Sequence, residues 1–309
     1  MDLDNKIATR ESFGKALVEL GKENENVVVL TADLAGATKT SLFEKEFPDR
    51  FINVGIAEQN MIGISAGLAT TGKIPFASTF AMFAAGRAYD QIRNSVAYPK
   101  LNVKICGTHA GVTVGEDGAT HQMLEDINLM RGLPNMTVIS PSDDAEAKWA
   151  VKQASQINGP VYIRFGRAAT PQIYDENQKF EIGKAIQFGD GTKATVFATG
   201  IMVAEALKAK EELAQSGIEI RVIDIHTIKP IDKEIIIKAA KETEKLISIE
   251  EHSIIGGLGS AIAEVLVENY PAKLVRMGMK DCFGKSGSAT ELLKYFGLTS
   301  KEIVEEVKR

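Results

Sequence analysis

The chain has 309 residues, of which 44% are apolar and 25% are charged, and its formal net charge is −5. This length and apolar content predict a globular protein of two domains rather than one. The acidic balance argues against a nucleic-acid backbone or an anionic membrane as the partner, because both call for a concentrated basic surface. A small phosphorylated substrate remains compatible with this charge.

The cysteine count and the N-terminal segment both indicate a cytoplasmic protein. Cys106 and Cys282 are too few for a disulfide framework, so a reducing compartment is expected. Residues 1–6 are acidic and lack the basic-then-apolar pattern of a signal peptide, and charged residues interrupt every long apolar run. We therefore expect a soluble protein with no membrane partner.

Helical and strand-like patterns alternate along the first half of the chain. Apolar periodicity predicts helices over residues 10–21 and 56–68, and strands over residues 27–30, 103–106, 137–139 and 161–163. Such alternation is typical of an α/β fold, in which helices cover a mostly parallel sheet.

A second α/β series follows after a break in the pattern. Residues 168–192 contain Pro, Gly and acidic residues without sustained periodicity, which indicates an interdomain connection. Beyond it, strands are predicted over residues 194–197, 218–225 and 246–249, and a helix over 204–214. We predict a first domain over residues 1–170, a linker over 171–191 and a smaller second domain over 192–309.

A glycine-rich loop over residues 107–122 holds two of the four histidines in the chain. Its many Gly, Ala and Val residues are too small to build a core, so we expect its large polar groups to face a cavity: His109, Glu116, Asp117 and His121. A metal site is disfavoured, because the spacing fits no compact ligand motif. Imidazoles that bond sugar hydroxyls, with Asp117 accepting from another hydroxyl, suit a polar substrate.

Glu58 is a single acid in a helical stretch of otherwise small or apolar groups. Two interpretations are open. Glu58 could simply complement the helix macrodipole in the first turn. Alternatively, burial against Ile56, Met61 and Ile62 would favour the neutral carboxyl group, which could donate a proton to a ring nitrogen. Gly63 and Gly67 lie four residues apart and would let a second subunit approach this helix.

Phe80 and Phe83 are predicted to share a helical face among small residues. Spacing alone favours core packing of the two rings. If the small residues instead mark a cleft, the rings would form a stacking platform for a planar heterocycle.

Residues 256–260, Gly-Gly-Leu-Gly-Ser, precede a predicted helix. A loop of this kind could hold a phosphate at the helix N-terminus. Because it lacks the lysine of a P-loop and the full dinucleotide-binding spacing, a structural turn is favoured.

Four motifs together give the chain a resemblance to a known family. They are Gly-Ile-Ala-Glu-Gln-Asn at residues 55–60, Ser-Thr-Phe at 78–80, Gly-Glu-Asp-Gly-Ala-Thr-His-Gln at 115–122 and Pro-Ser-Asp at 141–143. Over essentially its whole length the chain resembles the C-terminal half of transketolase, and looks like the C-terminal subunit of a transketolase split into two polypeptides. The resemblance implies a pyrimidine-binding domain followed by the family's C-terminal domain. It also implies transfer of a two-carbon ketol unit from a ketose phosphate to an aldose phosphate, as in the pentose phosphate pathway.

The resemblance assigns cofactor contacts to four residues. Thiamine diphosphate supplies the carbanion chemistry of the family. The residue matching Glu58 bonds the aminopyrimidine ring and promotes its imino tautomer. Phe83 stacks on that ring with Phe80 nearby, and Asp33 matches a residue near the cofactor.

The resemblance also implies the substrate contacts. His109, Asp117 and His121 contact the hydroxyls of the donor and acceptor sugars, and His121 is counted with Glu58 as catalytic. Arg10 and Arg167 match arginines that bind the sugar phosphate, an anion that suits a planar guanidinium.

Two residues depart from the pattern of the family. An aromatic residue that some members carry one turn after Phe83 is Gly86 here, and a phosphate-binding serine falls at Ala37. The hydroxyl of Thr38 is the candidate to replace that serine.

The family motif for the diphosphate and its metal is missing. In the family, that motif is Gly-Asp-Gly followed roughly thirty residues later by Asn. Residues 189–191 read Gly-Asp-Gly, but the next asparagine is Asn269, which is too far along the chain to complete the motif. The resemblance therefore implies a partner, the N-terminal transketolase subunit, that holds most of the thiamine diphosphate and its Mg²⁺ or Ca²⁺. Two copies of each chain are expected, because family sites form where two protomers meet.

Three other interpretations of the sequence are disfavoured. The β subunit of a 2-oxoacid dehydrogenase has the same domain pair, but its substrates lack the sugar hydroxyls that the polar loop 107–122 suits. Deoxyxylulose phosphate synthase shares residues 55–59 and 89–91 but is normally one chain. A non-catalytic scaffolding subunit is disfavoured, because the residues that carry the chemistry are retained together.

Overall fold

Two sheets, one of seven strands and one of five, form the framework of the chain. The computed structural model describes the backbone of residues 2–309 and the side chains of residues 5–309; Met1, part of the acidic N-terminal segment, lies outside the described residues. The strands are β1 (Asp2–Ala8), β2 (Val27–Thr31), β3 (Phe51–Asn53), β4 (Ile74–Phe80), β5 (Lys104–Thr108), β6 (Thr137–Ile139), β7 (Val161–Arg164), β8 (Ala169–Gln172), β9 (Ile186–Phe188), β10 (Thr195–Ala198), β11 (Arg221–Asp224), β12 (Thr227–Lys229), β13 (Leu246–Ser253) and β14 (Leu274–Met279).

Helices cover both sheets and connect most of the parallel strands. They are α1 (Thr9–Glu23), α2 (Ala35–Thr38), α3 (Ser41–Glu46), α4 (Glu58–Thr70), α5 (Tyr89–Gln91), α6 (Asp126–Arg131), α7 (Asp144–Gln156), α8 (Met202–Gln215), α9 (Lys233–Glu242), α10 (Leu258–Asn269), α11 (Ala289–Tyr295) and α12 (Ser300–Lys308). Within residues 2–309, no helix combines the length and apolar character needed to cross a membrane.

Both sheets are mostly parallel, which confirms the predicted α/β class. The larger sheet has the order β12-β6-β7-β5-β4-β2-β3, and only the edge strand β12 runs antiparallel to its neighbour. The smaller sheet has the order β14-β13-β10-β11-β9, again with one antiparallel edge strand, β9. β1 and β8 form a separate antiparallel pair.

Seven strands of the described chain lie where the sequence pattern predicted none: β1, β3, β4, β8, β9, β12 and β14. Two of them, β9 and β12, bear on how the two halves of the chain are joined. β9 falls inside the stretch predicted as a linker and pairs with β11. The pattern did not predict it, because a short edge strand pairs on one side only and needs little apolar periodicity. β12 comes from the second half of the chain but joins the sheet of the first half through β6. The two halves are therefore joined by backbone hydrogen bonds as well as by the connection between them.

One apolar core continues from the first domain into the second. It contains Ile105 and Tyr162 of the larger sheet together with Phe197 and Ile223 of the smaller one, all fully buried. Parallel strands are covered on both faces, so the whole of β2 is buried and its first four residues are all apolar. The relative position of the domains is thus fixed by packing.

A buried charged cluster crosses the same domain boundary. The Arg164 guanidinium donates through Nε to Asp126 Oδ2 at 2.9 Å and through Nη2 to the carbonyl oxygen of Glu251 at 3.1 Å. The Tyr162 hydroxyl donates to the same Asp126 oxygen at 2.9 Å. The Glu251 carboxylate in turn accepts from the backbone N–H of Thr113 at 3.0 Å and from its hydroxyl at 2.8 Å. Strand β13 of the second domain therefore holds the glycine-rich loop of the first.

A glycine in this loop is required by the approach of Glu251. Gly111 has φ of +81°, and a Cβ atom there would lie 2.3 Å from the Glu251 carboxyl carbon. The second domain also contacts the loop through Gln122, whose amide nitrogen donates to the carbonyl oxygen of Lys285 at 2.8 Å and to that of Val112 at 3.0 Å.

The Gly-Gly-Leu-Gly-Ser segment is a structural turn, as favoured. The backbone N–H groups of Leu258 and Gly259 donate to the Glu250 carboxylate at 2.7 and 2.9 Å. The N-terminus of α10 therefore already binds an anionic group of the chain itself.

Replacing Asp126 by Ala should lower the free energy of unfolding by about 3–5 kcal/mol, because the buried Arg164 would lose its hydrogen-bonded carboxylate and keep only the Glu251 carboxylate, 3.9 Å away. Urea unfolding followed by circular dichroism measures this change. Lys152→Ala is the matched control: Lys152 forms an exposed ion pair with Glu23, and its loss should cost less than about 1 kcal/mol. A change for Asp126→Ala as small as that of the control would contradict the structural role of the cluster.

Candidate active site

The carboxyl ends of three adjacent parallel strands meet at one edge of the larger sheet. β2 and β4 are neighbours, as are β4 and β5. β4 ends at Phe80, Asp33 lies two residues after the end of β2, and His109 directly follows the end of β5. Open α/β sheets bind ligands at this edge, because side chains and loops from several strands converge there.

Phe80 and Phe83 lie on different elements, so the predicted common helical face is wrong. Phe80 is the last residue of β4, and Phe83 belongs to the π-helical turn Met82–Arg87 that follows. The rings are nevertheless adjacent, with centroids 5.7 Å apart and planes inclined by 16°. Phe80 is almost fully buried and Phe83 is half-buried. The turn begins two residues after the strand end, and this keeps the second ring beside the first.

His109 is held in its neutral form by its surroundings. Its ring stacks on Phe80 at 3.9 Å between centroids, and its side chain is 3% exposed. Nε2 lies 3.2 Å from Arg10 Nη1, and Nδ1 lies 2.9 Å from the Thr108 hydroxyl oxygen. Because a guanidinium only donates, Nε2 accepts and the ring proton resides on Nδ1. Burial, together with the charges of Arg10 and Arg167, lowers the pKa of His109 to about 3.

Asp33 and His109 both have left-handed backbone conformations. Their φ angles are +60° and +57°. Left-handed backbone is unfavourable for residues other than glycine and persists where surrounding contacts impose it, often at functional sites. Asp33 is exposed, and its backbone N–H donates to the side-chain oxygen of Asn53 at 3.1 Å.

Glu58 is the first residue of α4, and its side chain is only 2% exposed. Met61 and Ile62 on the same helix are fully buried, as expected. Ile56 is 76% exposed and does not cover the carboxyl group, so that part of the prediction is wrong. Ile56 lies in the segment before the helix, where the chain follows the molecular surface.

Arg87 is the direct partner of Glu58 and was not predicted as a site residue. Its Nη1 atom donates to both Glu58 carboxylate oxygens at 2.9 Å each. Its guanidinium carbon also lies 4.3 Å from the centroid of the Phe83 ring. A sequence signal was available, because Arg87 is the one basic residue among small and aromatic groups directly after Phe83.

The glycine-rich loop borders the two aromatic rings. His121 is half-buried, and its ring lies edge-on to Phe83 at 5.5 Å. Arg167 donates through Nη1 to the Val114 carbonyl oxygen and to Glu116 Oε2, both at 2.6 Å. The hydrogen bond from Arg167 lowers the pKa of the exposed Glu116 carboxyl group. Glu116 therefore points to Arg167 rather than into a closed cavity.

Most of the predicted site residues come together in one continuous set of contacts. The contacts run from Glu58 through Arg87 and Phe83 to Phe80, and on to His109 and Arg10; His121 packs against Phe83. Arg167 contacts the loop of His121 through Val114 and Glu116, and burial together with the charge of Arg167 lowers the pKa of both Arg10 and His109. Asp33 and Asp117 are exposed at the margin.

The described residues contain no group of three or more His, Cys, Asp or Glu side chains that could hold a metal. The Gly-Asp-Gly run at residues 189–191 follows β9, and Asp190 accepts a hydrogen bond from Gln187 at 2.9 Å. It serves as a turn of the second domain.

Comparison with known families agrees with this architecture. Residues 5–172 match the model of the transketolase pyrimidine binding domain, and residues 183–303 match that of the transketolase C-terminal domain. The chain therefore belongs to the transketolase family of thiamine diphosphate enzymes.

Three similar proteins extend over nearly the whole chain. A protein of Methanocaldococcus jannaschii that carries the description transketolase C-terminal section is 55% identical, over 97% of this chain and 96% of its own. A 6-deoxy-6-sulfo-D-fructose transketolase subunit of Clostridium sp. (strain MSTE9) is 46% identical, over 96% and 92% of the two chains. A solved split gene transketolase, an inactive β4 tetramer, has a TM-score of 0.91 and 54% identity, over 98% of this chain and 97% of that one.

His109 should show no titration between pH 8 and pH 5 in the folded protein, because its pKa is lowered to about 3. The unfolded chain takes up this proton near its ordinary pKa of about 6.5. Stability should therefore fall as the pH drops from about 6.5 towards 3, since the unfolded state binds more protons in that window. Nitrogen chemical shifts of labelled histidine, assigned with His109→Gln, measure the titration. A midpoint above about pH 5 would show that the ring is not held neutral.

Proposed function

We propose that the chain is the C-terminal subunit of a two-chain transketolase, which transfers a two-carbon ketol unit from a ketose phosphate to an aldose phosphate. The observation that carries this proposal is the continuous contact from the buried Glu58 carboxylate to Arg10. It joins an acid, two stacked aromatic rings, a neutral imidazole and a guanidinium at one sheet edge. Together these groups can bind a nitrogen heterocycle and an anion that carries hydroxyl groups.

The residues of this chain fit the pyrimidine half of thiamine diphosphate. When bound, that cofactor supplies the carbanion chemistry. A buried carboxyl group such as Glu58 can exchange a proton with a ring nitrogen, and the half-buried Phe83 ring can stack on a planar heterocycle, with Phe80 behind it. The exposed Asp33 would border the cofactor. The diphosphate and its Mg²⁺ or Ca²⁺ would be held mainly by the partner subunit.

The polar residues of the loop fit a sugar. His109 is neutral, so it can bond a hydroxyl group without adding charge, and His121 and Asp117 offer further hydroxyl contacts. We assign His121 a catalytic role with Glu58 because it lies against Phe83, the proposed pyrimidine platform. Arg10 and Arg167 supply the positive charge for the substrate phosphate.

At the proposed phosphate-binding end of the site, the position where the family has a serine holds Ala37, which has no hydroxyl group. Ala37 contributes only its carbonyl oxygen, which accepts from Arg10 Nη1 at 2.9 Å. Thr38 does not replace the serine, as had been considered: its buried hydroxyl donates to the Leu34 carbonyl oxygen at 3.0 Å and lies 3.0 Å from the Thr40 hydroxyl. Arg10 and Arg167 therefore carry the proposed phosphate contact.

An open face of α4 supports the need for a second chain. Gly63 and Gly67 lie exposed on this helix, and a Cβ atom at either would meet nothing within 4 Å in the described chain. Such a face allows close approach of another backbone to α4. The similar proteins also support a partner, since one is described as a C-terminal section and another as a subunit, and the split gene β4 tetramer is inactive. Two copies of each chain would complete two sites.

The proposed function requires the partner chain for activity. Two-carbon transfer from xylulose 5-phosphate to ribose 5-phosphate, with thiamine diphosphate and Mg²⁺, should occur with the co-purified N-terminal subunit and not with this chain alone. The isolated chain should also fail to retain thiamine diphosphate on gel filtration. A 2-oxoacid turned over in place of both sugars would instead identify the β subunit of a 2-oxoacid dehydrogenase.

Glu58→Gln should reduce turnover of the assembled enzyme by at least about a hundredfold, because the amide cannot exchange a proton with the ring nitrogen. Steady-state kinetics on the two-chain enzyme measure this loss. Glu44→Gln on the exposed surface of α3 is the matched control and should leave turnover unchanged. Equal turnover in both variants would favour a scaffolding role.

A further inference from the structure

Arg87 makes both contacts that the proposed function assigns to the pyrimidine ring of the cofactor. We propose that Arg87 is an internal competitor for the pyrimidine site, which leaves Glu58 and Phe83 when thiamine diphosphate binds. This inference rests on the proposed function and adds an autoinhibitory contact to it.

The first competing contact is with Glu58. A single nitrogen, Arg87 Nη1, lies 2.9 Å from both carboxylate oxygens, as one ring nitrogen placed against the carboxyl group would. Glu58 is 2% exposed, so little of the carboxyl group is open to a second donor. A heterocycle nitrogen that reaches Glu58 must therefore displace Nη1.

The second competing contact is with Phe83. The guanidinium is planar and cationic, and its central carbon lies 4.3 Å from the ring centroid. Arginine binds aromatic faces in this way because the ring quadrupole attracts the cation. A pyrimidine ring stacked on the same face would occupy the same space.

Arg87 is able to leave without disturbing the fold. Its side chain is 47% exposed, and among the described residues its guanidinium donates hydrogen bonds to Glu58 only. It lies at the end of the π-helical turn Met82–Arg87, and its carbonyl oxygen, which accepts from the Gln59 amide at 3.3 Å, stays in place when the side chain rotates. The guanidinium can therefore exchange the carboxylate for water.

Only molecules in which Arg87 has left the site can bind the cofactor. The apparent affinity is therefore the intrinsic affinity multiplied by the fraction of such molecules. Arg87→Met removes the competitor. In the two-chain assembly this variant should bind thiamine diphosphate at least about threefold more tightly than the wild type, with faster association. Isothermal titration calorimetry and stopped-flow binding measure both quantities without relying on turnover.

Arg93→Met is the matched control, since Arg93 is exposed on the next turn and, among the described residues, its side chain donates a hydrogen bond only to Asn94. It should leave cofactor affinity unchanged. If Arg87→Met fails to fold, as judged by thermal melting, Arg87→Gln tests the same point: it lacks the positive charge that binds Glu58 and Phe83 and should still bind the cofactor more tightly than the wild type. Equal or weaker binding in the folded Arg87 variant would overturn the proposal while leaving the proposed function intact.

A second measurement uses the unmodified assembly. Cofactor binding should increase the reaction of Arg87 with an arginine-selective dicarbonyl reagent, because release from Glu58 frees the guanidinium, while Arg93 stays constant. Peptide mass spectrometry reports both sites. Protection of Arg87 by the cofactor would overturn the proposal. Failure of every assembly, wild type included, to bind thiamine diphosphate would instead refute the proposed function and this inference with it.

Discussion

The buried contact between Arg164 and Asp126 is the interaction on which the positions of the functional groups depend. Both side chains are removed from water, so each requires the other as a partner. Arg164 ends β7 and also donates to the backbone of β13, while the neighbouring Glu251 carboxylate binds Thr113. The second domain thereby fixes the start of the loop that carries His121. This gives the C-terminal domain a role in the site although it contributes none of the predicted site residues.

The arginines of the site all have acceptors within the chain itself. Arg10 donates to the Ala37 carbonyl oxygen, Arg87 to Glu58 and Arg167 to Glu116. A guanidinium with an internal acceptor is oriented before a ligand arrives, which reduces the entropy lost on binding. It must also exchange that acceptor for the ligand. Arg87 and Arg167 can exchange their carboxylate partners for water or a ligand, because both side chains are partly exposed. The buried Arg164 of the domain boundary cannot do so as easily.

Sequence reasoning predicted the groups of the site better than their contacts. Glu58 stood out because a carboxylate among apolar residues needs a partner, and the histidine loop stood out because small residues leave large polar groups without a core. Arg87 was missed, since the Glu58 contact spans 29 positions and depends on the turn after β4. Phe80 was assigned to a helix because spacing of three residues suits a helical face, whereas a strand followed by a π-helical turn also brings the rings together. Thr38 was the candidate to replace the phosphate-binding serine, but its hydroxyl contacts the Leu34 carbonyl oxygen and the Thr40 hydroxyl instead.

The sequence by itself determined the α/β class and which residues are candidates for the site. Both follow from local properties, namely hydrophobic periodicity and the chemistry of single side chains. The buried strands read as apolar runs, and the acid, aromatic, histidine and arginine residues are recognisable by type. The tertiary structure alone decided that β12 joins the sheet of the first half, that Glu251 binds the glycine-rich loop and that Glu58 pairs with Arg87. These contacts join segments far apart in the chain, and which distant groups meet is set by packing across the whole molecule rather than by any local pattern.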